Sequence, residues 1–221
     1  AALAYAYVSL GRLHKAQTVC QEAIDVAEAY QQRNRQQLSA AASIFAILSS
    51  ILNEWGEIQQ SVQAARRGLA LSEVWGQADT IMLCLLSLAN GLSLAHEFEA
   101  AQQTIQRARK LAQKVSPWFV LNAQYVEMRI YLDAGQIDQA ARLRAEAGSI
   151  FPASLDARLL VKQNRLNKAL QLIERSLPEA QDSLSLETIR LGVIHAIALY
   201  LNKDEAQALS VLRQTLALAE P

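Results

Sequence analysis

The apolar positions of this chain recur at helical intervals between polar residues, without the strict alternation that a half-buried strand would show. Ala, Leu and Gln dominate the sequence, and all three are helix formers. Alternating β-branched runs are absent, and only eight glycines and four prolines punctuate the 221 residues. These features predict an all-α protein. Because 52% of the residues are hydrophobic, the chain can bury a sizeable core.

A short turn followed five residues later by a small residue recurs six times. The segments read GRLHKA, GEIQQS, HEFEAA, GQIDQA, NRLNKA and KDEAQA. The first residues, which are the predicted turn residues, are Gly11, Gly56, His96, Gly135, Asn164 and Lys203. The small residues, here called anchors, are Ala16, Ser61, Ala101, Ala140, Ala169 and Ala208. The anchors are 45, 40, 39, 29 and 39 residues apart, which is typical of a helix-turn-helix repeat of irregular length.

Two further columns appear when the anchors are aligned. Seven residues after the anchor stand Ala23, Gly68, Ala108, Ala147, Ser176 and Thr215. Twelve residues before it stand Ala4, Ser49, Ala89, Met128, Ala157 and Ala196. Small residues at fixed positions let helix backbones approach closely where paired helices cross. Gly68 is therefore interpreted as the smallest member of a packing column, and not as a flaw in its helix.

The pattern is that of a tetratricopeptide-like α-solenoid, a right-handed superhelix of about six helix-turn-helix pairs. We expect one domain over residues 1–221, cut from a longer protein, with repeats at roughly 1–35, 36–77, 78–115, 116–151, 152–183 and 184–221. The 29-residue step predicts a shortened first helix from about Ser154 to Gln163, after Pro152. Apolar faces at the two ends, around 5–7 and 209–218, suggest self-association through a solenoid end.

Two stretches carry a closer resemblance. They are NEWGEIQQSVQAARRGLALSEVWGQADT and RLLVKQNRLNKALQLIERSLPEAQDSLSLETIRLGVIHAIALYLNKDEAQALSVLRQTLALAEP. Both resemble the helical-repeat region of the large ATP-binding transcriptional regulators of the MalT/LuxR type. In that family a tryptophan commonly precedes the turn, as Trp55 does here, and an arginine-rich helix ends on Trp-Gly, as at Trp75-Gly76.

The resemblance implies a cytoplasmic sensor that couples binding of an inducer to an ATPase domain and a helix-turn-helix domain. This chain lacks both, because it has no phosphate-binding G-x-x-x-x-G-K-[ST] motif and no basic excess. Its partner would be a small-molecule inducer or a regulatory protein or peptide. The alternative is a generic tetratricopeptide scaffold that binds an extended peptide in its groove. Neither direct contact with nucleic acid nor a membrane span is expected.

Enzymatic chemistry is not indicated by the remaining residues. Cys20 and Cys84 are far apart and are predicted to be buried small hydrophobes. The histidines at 14, 96 and 195 fall in different repeats without metal-ligand spacing. No nucleophile motif such as G-x-S-x-G occurs. We therefore expect no catalytic residues, no metal and no cofactor.

A ligand in a tetratricopeptide superhelix would lie against the first helix of each pair. Positions 18, 15, 11, 8 and 7 residues before each anchor should face it. The polar and aromatic residues there are Tyr5, Ser43, Ser50, Asn53, Asn90, Ser93, Asn122, Tyr125, Arg129, Arg158, Arg190 and Tyr200. The predicted binding set is Asn90, Ser93, Asn122, Tyr125, Arg129, Arg158, Arg190 and Tyr200, centred on Asn90, Tyr125 and Arg129. A plain solvated surface would show the same residue types.

Overall fold

The structure is a computed structural model that describes residues 1–148, 151–181 and 186–219, with the backbone alone at 179–181 and at 219. These residues form twelve helices and no strand. The helices are α1 (Ala2–Ser9), α2 (Leu13–Asn34), α3 (Ala41–Glu54), α4 (Ile58–Trp75), α5 (Ala78–Leu94), α6 (Phe98–Val115), α7 (Pro117–Asp133), α8 (Ile137–Glu146), α9 (Ala153–Lys162), α10 (Leu166–Gln181), α11 (Leu186–Leu201) and α12 (Glu205–Ala219). The expected repeat boundary at 183–184 lies outside the described residues.

The predicted turns separate the helices and share one backbone conformation. All six turn residues have a positive φ, of 69° at Gly11, 76° at Gly56, 61° at His96, 71° at Gly135, 57° at Asn164 and 67° at Lys203. Three of them are not glycine, so backbone hydrogen bonds must hold the left-handed conformation. At the second turn, the N–H of Glu57 donates to the carbonyl oxygen of Leu52 (2.9 Å) and the N–H of Gly56 to that of Asn53 (3.2 Å). This pair of bonds satisfies two carbonyls that the helix end leaves open.

The small-residue columns lie at helix crossings, as predicted. Every anchor is buried, and the column twelve residues earlier is buried throughout, including at Met128. In the column seven residues after the anchor, Gly68, Ala108 and Thr215 are buried, and the other members are half-buried. A Cβ atom added to Gly68 would lie 2.9 Å from the carbonyl oxygen of Ala42 and 3.0 Å from Cβ of Phe45. The small side chains therefore allow the helices to come together.

The chain divides into two compact units. The first comprises Ala1–Val8 and Arg12–Ala134, and the second comprises Ser9–Gly11 and the described part of Gly135–Pro221. In the first unit α3 packs on α4 and α5, and α5 packs on α6 and α7. In the second unit α9 packs on α10 and α11, and α11 packs on α12. Each unit is thus built from neighbouring helix pairs, and the predicted fold class, an all-α tetratricopeptide-like solenoid, is confirmed.

The shortened first helix after Pro152 is also present. Helix α9 runs from Ala153 to Lys162, with Pro152 at its N-cap and an extended ψ of 134° there. It packs against α10, so the pair is complete despite its length. The division into six repeats at the stated boundaries, within a single domain, stays a prediction.

Candidate functional site

The predicted residues on α5 lie between helices. Asn90 is 9% exposed and Ser93 is 1% exposed. The hydroxyl of Ser93 donates to Oδ2 of Asp133 on α7, at 2.8 Å. The amide of Asn53, on α3, is also buried, and its Oδ1 lies 3.5 Å from the position that a Cβ on Gly91 would occupy. Ser93 and Asn53 therefore lie where consecutive odd-numbered helices of the first unit meet.

Three buried amide atoms in this region have no hydrogen-bond partner among the described residues. The atoms are Nδ2 and Oδ1 of Asn53 and Oδ1 of Asn90. A buried polar atom without a hydrogen bond costs about 1–3 kcal/mol, so such atoms usually have a partner. Because they are closed off from solvent, these amides would meet a ligand only after the helices separate.

The predicted residues on α7 share one face with Trp118, at the start of that helix. Residues 118, 122, 125 and 129 follow one another at spacings of four, three and four, which is the spacing of one helical face. Nδ2 of Asn122 donates to the carbonyl oxygen of Trp118, at 2.8 Å. Tyr125 and Arg129 are half-buried. The α7 group thus extends from Trp118 along the helix.

The remaining three predicted residues belong to the second unit. Arg158 lies on α9, and Arg190 and Tyr200 lie on α11, which packs on α9. Both arginines are half-buried, whereas Tyr200 is 61% exposed. The eight predicted residues therefore form two groups, five in the first unit and three in the second.

Three further inward-facing positions, Tyr5, Ser43 and Ser50, line a cavity of about 560 Å³ in the first unit. We call it the odd-helix cavity, because α1, α3, α5 and α7 provide its walls. Its lining residues are Ala1, Ala2, Tyr5, Val8, Ser43, Ala46, Ile47, Ser50, Asp79, Leu83, Ser87, Trp118 and Phe119. Most of the lining is apolar, with a small number of polar groups.

Sequence reasoning missed Asp79 and Trp118, which are the most chemically distinctive members of that lining. Both stand 22 residues before their anchors, Ala101 and Ala140, one helical turn beyond the furthest position considered. Extending the repeat register by that turn would have found them. They were missed because the register was counted from the turns and ended 18 residues before each anchor.

The serine hydroxyls of the odd-helix cavity all hydrogen-bond within the protein. Ser43 donates to the carbonyl oxygen of Ala40 (3.0 Å), and Ser50 and Ser87 both donate to that of Ala46 (3.2 and 3.1 Å). The Oγ atoms of Ser50 and Ser87 lie 3.4 Å apart. A hydroxyl has one hydrogen and two lone pairs. These three side chains therefore offer the cavity acceptors.

Charge and aromatic surface complete the cavity. Asp79 is the one charged side chain among its described lining residues, and no ion pair of the described residues involves it. Tyr5 is 52% exposed and Trp118 is 47% exposed. Trp118 meets the Phe119 ring edge-on, with 4.8 Å between centroids and 77° between planes. Two large aromatic side chains of the lining are thus about half exposed.

A buried carboxylate joins α6 to α7 outside the cavity. Glu127 is 1% exposed, and Nη1 of Arg109 lies 3.1 and 2.9 Å from its two oxygens. Gln106 donates to the same carboxylate at 2.9 Å and Tyr131 at 3.2 Å. Burial, together with the charge and hydrogen bond of Glu127, raises the pKa of Tyr131 above its usual value of 10. Both carboxylate oxygens of Glu127 thus have hydrogen-bond partners, and we interpret Glu127 as a structural residue that links α6 to α7.

Both cysteines are buried in the part of the chain that the structure describes. Cys20 and Cys84 are fully buried, as predicted, and burial raises the pKa of each thiol to about 11. No group of three His, Cys, Asp or Glu side chains with metal-binding geometry occurs there. Nor does any helix in those ranges combine the length and apolar character needed to cross a membrane.

Comparison with known proteins agrees with this architecture. Among solved structures, the TPR-like repeats of a Podosopora anserina protein described as a kinesin light chain match at a TM-score of 0.52 and 16% identity. The match covers 79% of this chain and 92% of the other, and at that identity it shows the fold alone. No curated protein matches the chain. The family model described as the MalT-like TPR region matches residues 1–221. The chain therefore belongs to the MalT-like TPR family, as its resemblance predicted.

Proposed function

We propose that this chain is the signal-sensing segment of a transcriptional regulator. A ligand held by its odd-numbered helices would control an ATPase and a helix-turn-helix domain elsewhere in the same protein. Its own role is non-catalytic binding in the cytoplasm. The odd-helix cavity is the observation that carries this proposal, and membership of the MalT-like TPR family supports it.

The cavity has the dimensions and lining of a small-molecule site. Such sites have volumes of roughly 300–1,000 Å³ and mostly apolar walls with a few polar groups. At about 560 Å³, the odd-helix cavity lies within that range. A ligand there would touch α1, α3, α5 and α7 together and would favour the arrangement in which those helices surround it. Binding would then change the arrangement of these helices, to which the ATPase and helix-turn-helix domains would respond.

The α7 group is a second part of the proposed ligand surface. Trp118 lines the cavity, and Asn122, Tyr125 and Arg129 continue from it on the same helical face. Replacing Tyr125 and Arg129 by Ala should weaken ligand binding while the helical circular-dichroism spectrum stays unchanged. A folded double variant with unaltered binding would remove this group from the proposal.

A thermal-shift screen with amines, carboxylates, sugars, amino acids and peptides tests the cavity. A ligand that binds the folded state raises the melting temperature in proportion to its saturation. Leu83→Trp places a larger side chain on a cavity wall, and Val74→Trp is a matched control on the exposed face of α4. We expect at least one small molecule to stabilise the wild type and the control but not folded Leu83→Trp.

Stabilisation by extended peptides alone would contradict the sensor function and favour a peptide-binding scaffold. The full reading frame gives an independent check. The sensor function predicts that it encodes a nucleotide-binding ATPase domain and a helix-turn-helix domain together with this segment. A reading frame without both domains would overturn the regulator assignment.

A further inference from the structure

The odd-helix cavity has a chemical bias toward one class of ligand. We infer that it takes an apolar, preferably aromatic, molecule that carries a protonated amine. Asp79 is the counter-ion of the ammonium group, and Tyr5 and Trp118 cover the apolar body. This inference rests on the proposed function, because it names the ligand class of the same cavity.

Hydrogen-bonding capacity is the first reason. Ser43, Ser50 and Ser87 each have a backbone carbonyl within reach as an acceptor for the hydroxyl hydrogen, which leaves Oγ lone pairs for a ligand. An ionised Asp79 also only accepts. A ligand group with several donors satisfies such a lining best, and a primary ammonium has three donors and no acceptor. A carboxylate has no hydrogen to offer these oxygens.

Charge is the second reason. Asp79 contributes a negative charge, and neither Lys nor Arg occurs among the described lining residues. The carboxylate lies in the first turn of α5, and no ion pair of the described chain involves it. A cationic ligand would gain a charge-assisted hydrogen bond there, whereas an anionic ligand would be repelled by Asp79 and would find no basic side chain among the described lining residues to offset that repulsion.

Aromatic surface is the third reason. Tyr5 and Trp118 are about half exposed at the cavity, although such rings usually bury most of their surface. The faces of aromatic rings carry a negative electrostatic potential, which attracts ammonium groups. The same rings can stack against an aromatic ligand. Val8, Ile47 and Leu83 supply the aliphatic remainder of the wall.

Three probes with one indole body and different end groups test this inference by isothermal titration calorimetry. They are tryptamine, tryptophol and indole-3-acetate, which carry an ammonium, a hydroxyl and a carboxylate. For these titrations the α-amino group of Ala1 is acetylated, because Ala1 lines the cavity and its positive charge would oppose that of the amine. We expect tryptamine to bind most tightly and indole-3-acetate to show no measurable binding.

The variant Asp79→Asn keeps the size of the side chain and removes its charge. It should weaken tryptamine binding by about tenfold or more, because hydrogen bonds to charged groups are the stronger class. Glu99→Gln is the matched control, since Glu99 is an exposed acid in the first turn of α6, outside the cavity lining. It should leave the affinity unchanged.

Equal affinity for the three probes, unchanged binding in Asp79→Asn, or no tryptamine binding at millimolar concentration would each overturn the amine assignment. The proposed sensor function would survive these results if another small molecule gave a stabilisation that Leu83→Trp abolishes. If no small molecule in the broad panel does so, the sensor function itself fails. The two failures are therefore distinguishable.

Discussion

A Cβ atom placed on Gly68 would lie 3.0 Å from Sγ of Cys84, although the two residues belong to different helices, α4 and α5. That separation is shorter than an ordinary van der Waals contact, so the glycine lets α4 and α5 approach each other here. Ala42 on α3 closes the same contact from the other side. Three helices of the first unit thus meet at a residue without a side chain.

Gly68→Leu should destabilise the protein, although leucine is the better helix former. Overpacking of this kind typically costs about 1–3 kcal/mol or more, since the backbone of α3 cannot move aside freely. Urea unfolding monitored by circular dichroism measures the change. Ala70→Leu, two residues later on an exposed face of α4, should be close to neutral. A Gly68→Leu protein as stable as the wild type would refute the close-packing column.

Arg109→Ala should destabilise the protein more than Arg107→Ala. Removing Arg109 leaves the buried carboxylate of Glu127 without its cation, and we expect a loss of about 1–3 kcal/mol. The loss is smaller than for a fully buried pair, because the Arg109 side chain is 41% exposed. Arg107 pairs with Glu73 at the surface, so Arg107→Ala should lower the free energy of unfolding by at most about 1 kcal/mol. Equal losses in chemical denaturation would contradict the role assigned to Glu127.

Cys20 and Cys84 should resist alkylation by iodoacetamide at pH 8 in the folded protein. Burial raises the pKa of both thiols to about 11 and also blocks the reagent. Both should react rapidly in urea, which mass spectrometry can follow. Because the folded pKa values are raised, their contribution to stability is present below about pH 9 and is lost as the pH rises through about 11. Rapid labelling of folded protein at pH 8 would contradict this burial.

His195→Gln should reduce the acid sensitivity of the fold. Burial lowers the pKa of His195 below its ordinary value of 6.5, although the charge of Glu174 opposes that shift. Below that ordinary value the unfolded chain binds the proton more readily, so stability is lost as the pH falls through the lowered folded pKa. The exposed His14 gives the control variant His14→Gln. Urea midpoints from pH 7 to pH 5 should decline less steeply in His195→Gln than in the wild type or control.

The buried faces of the repeats could be predicted from spacing alone, but the partners of buried polar groups could not. Asn90 and Ser93 have the spacing of ligand-facing positions, yet both are buried, and Ser93 donates to Asp133 on α7. Glu127 on α7 contacts Arg109 and Gln106 on α6, at sequence separations of 18 and 21. Helical periodicity assigns a face, but it does not say how closely the neighbouring helix approaches that face.

The sequence by itself determined the all-α class, the positions of the six turns and the columns of small residues. These features depend on the helix propensity of the residues and on their repeated spacing, both of which can be read from the sequence. Only the tertiary structure decided that Tyr5, Ser43, Asp79 and Trp118 share one cavity. Their positions are up to 113 residues apart, so packing of four separate helices brings them together, and no local signal encodes that distance.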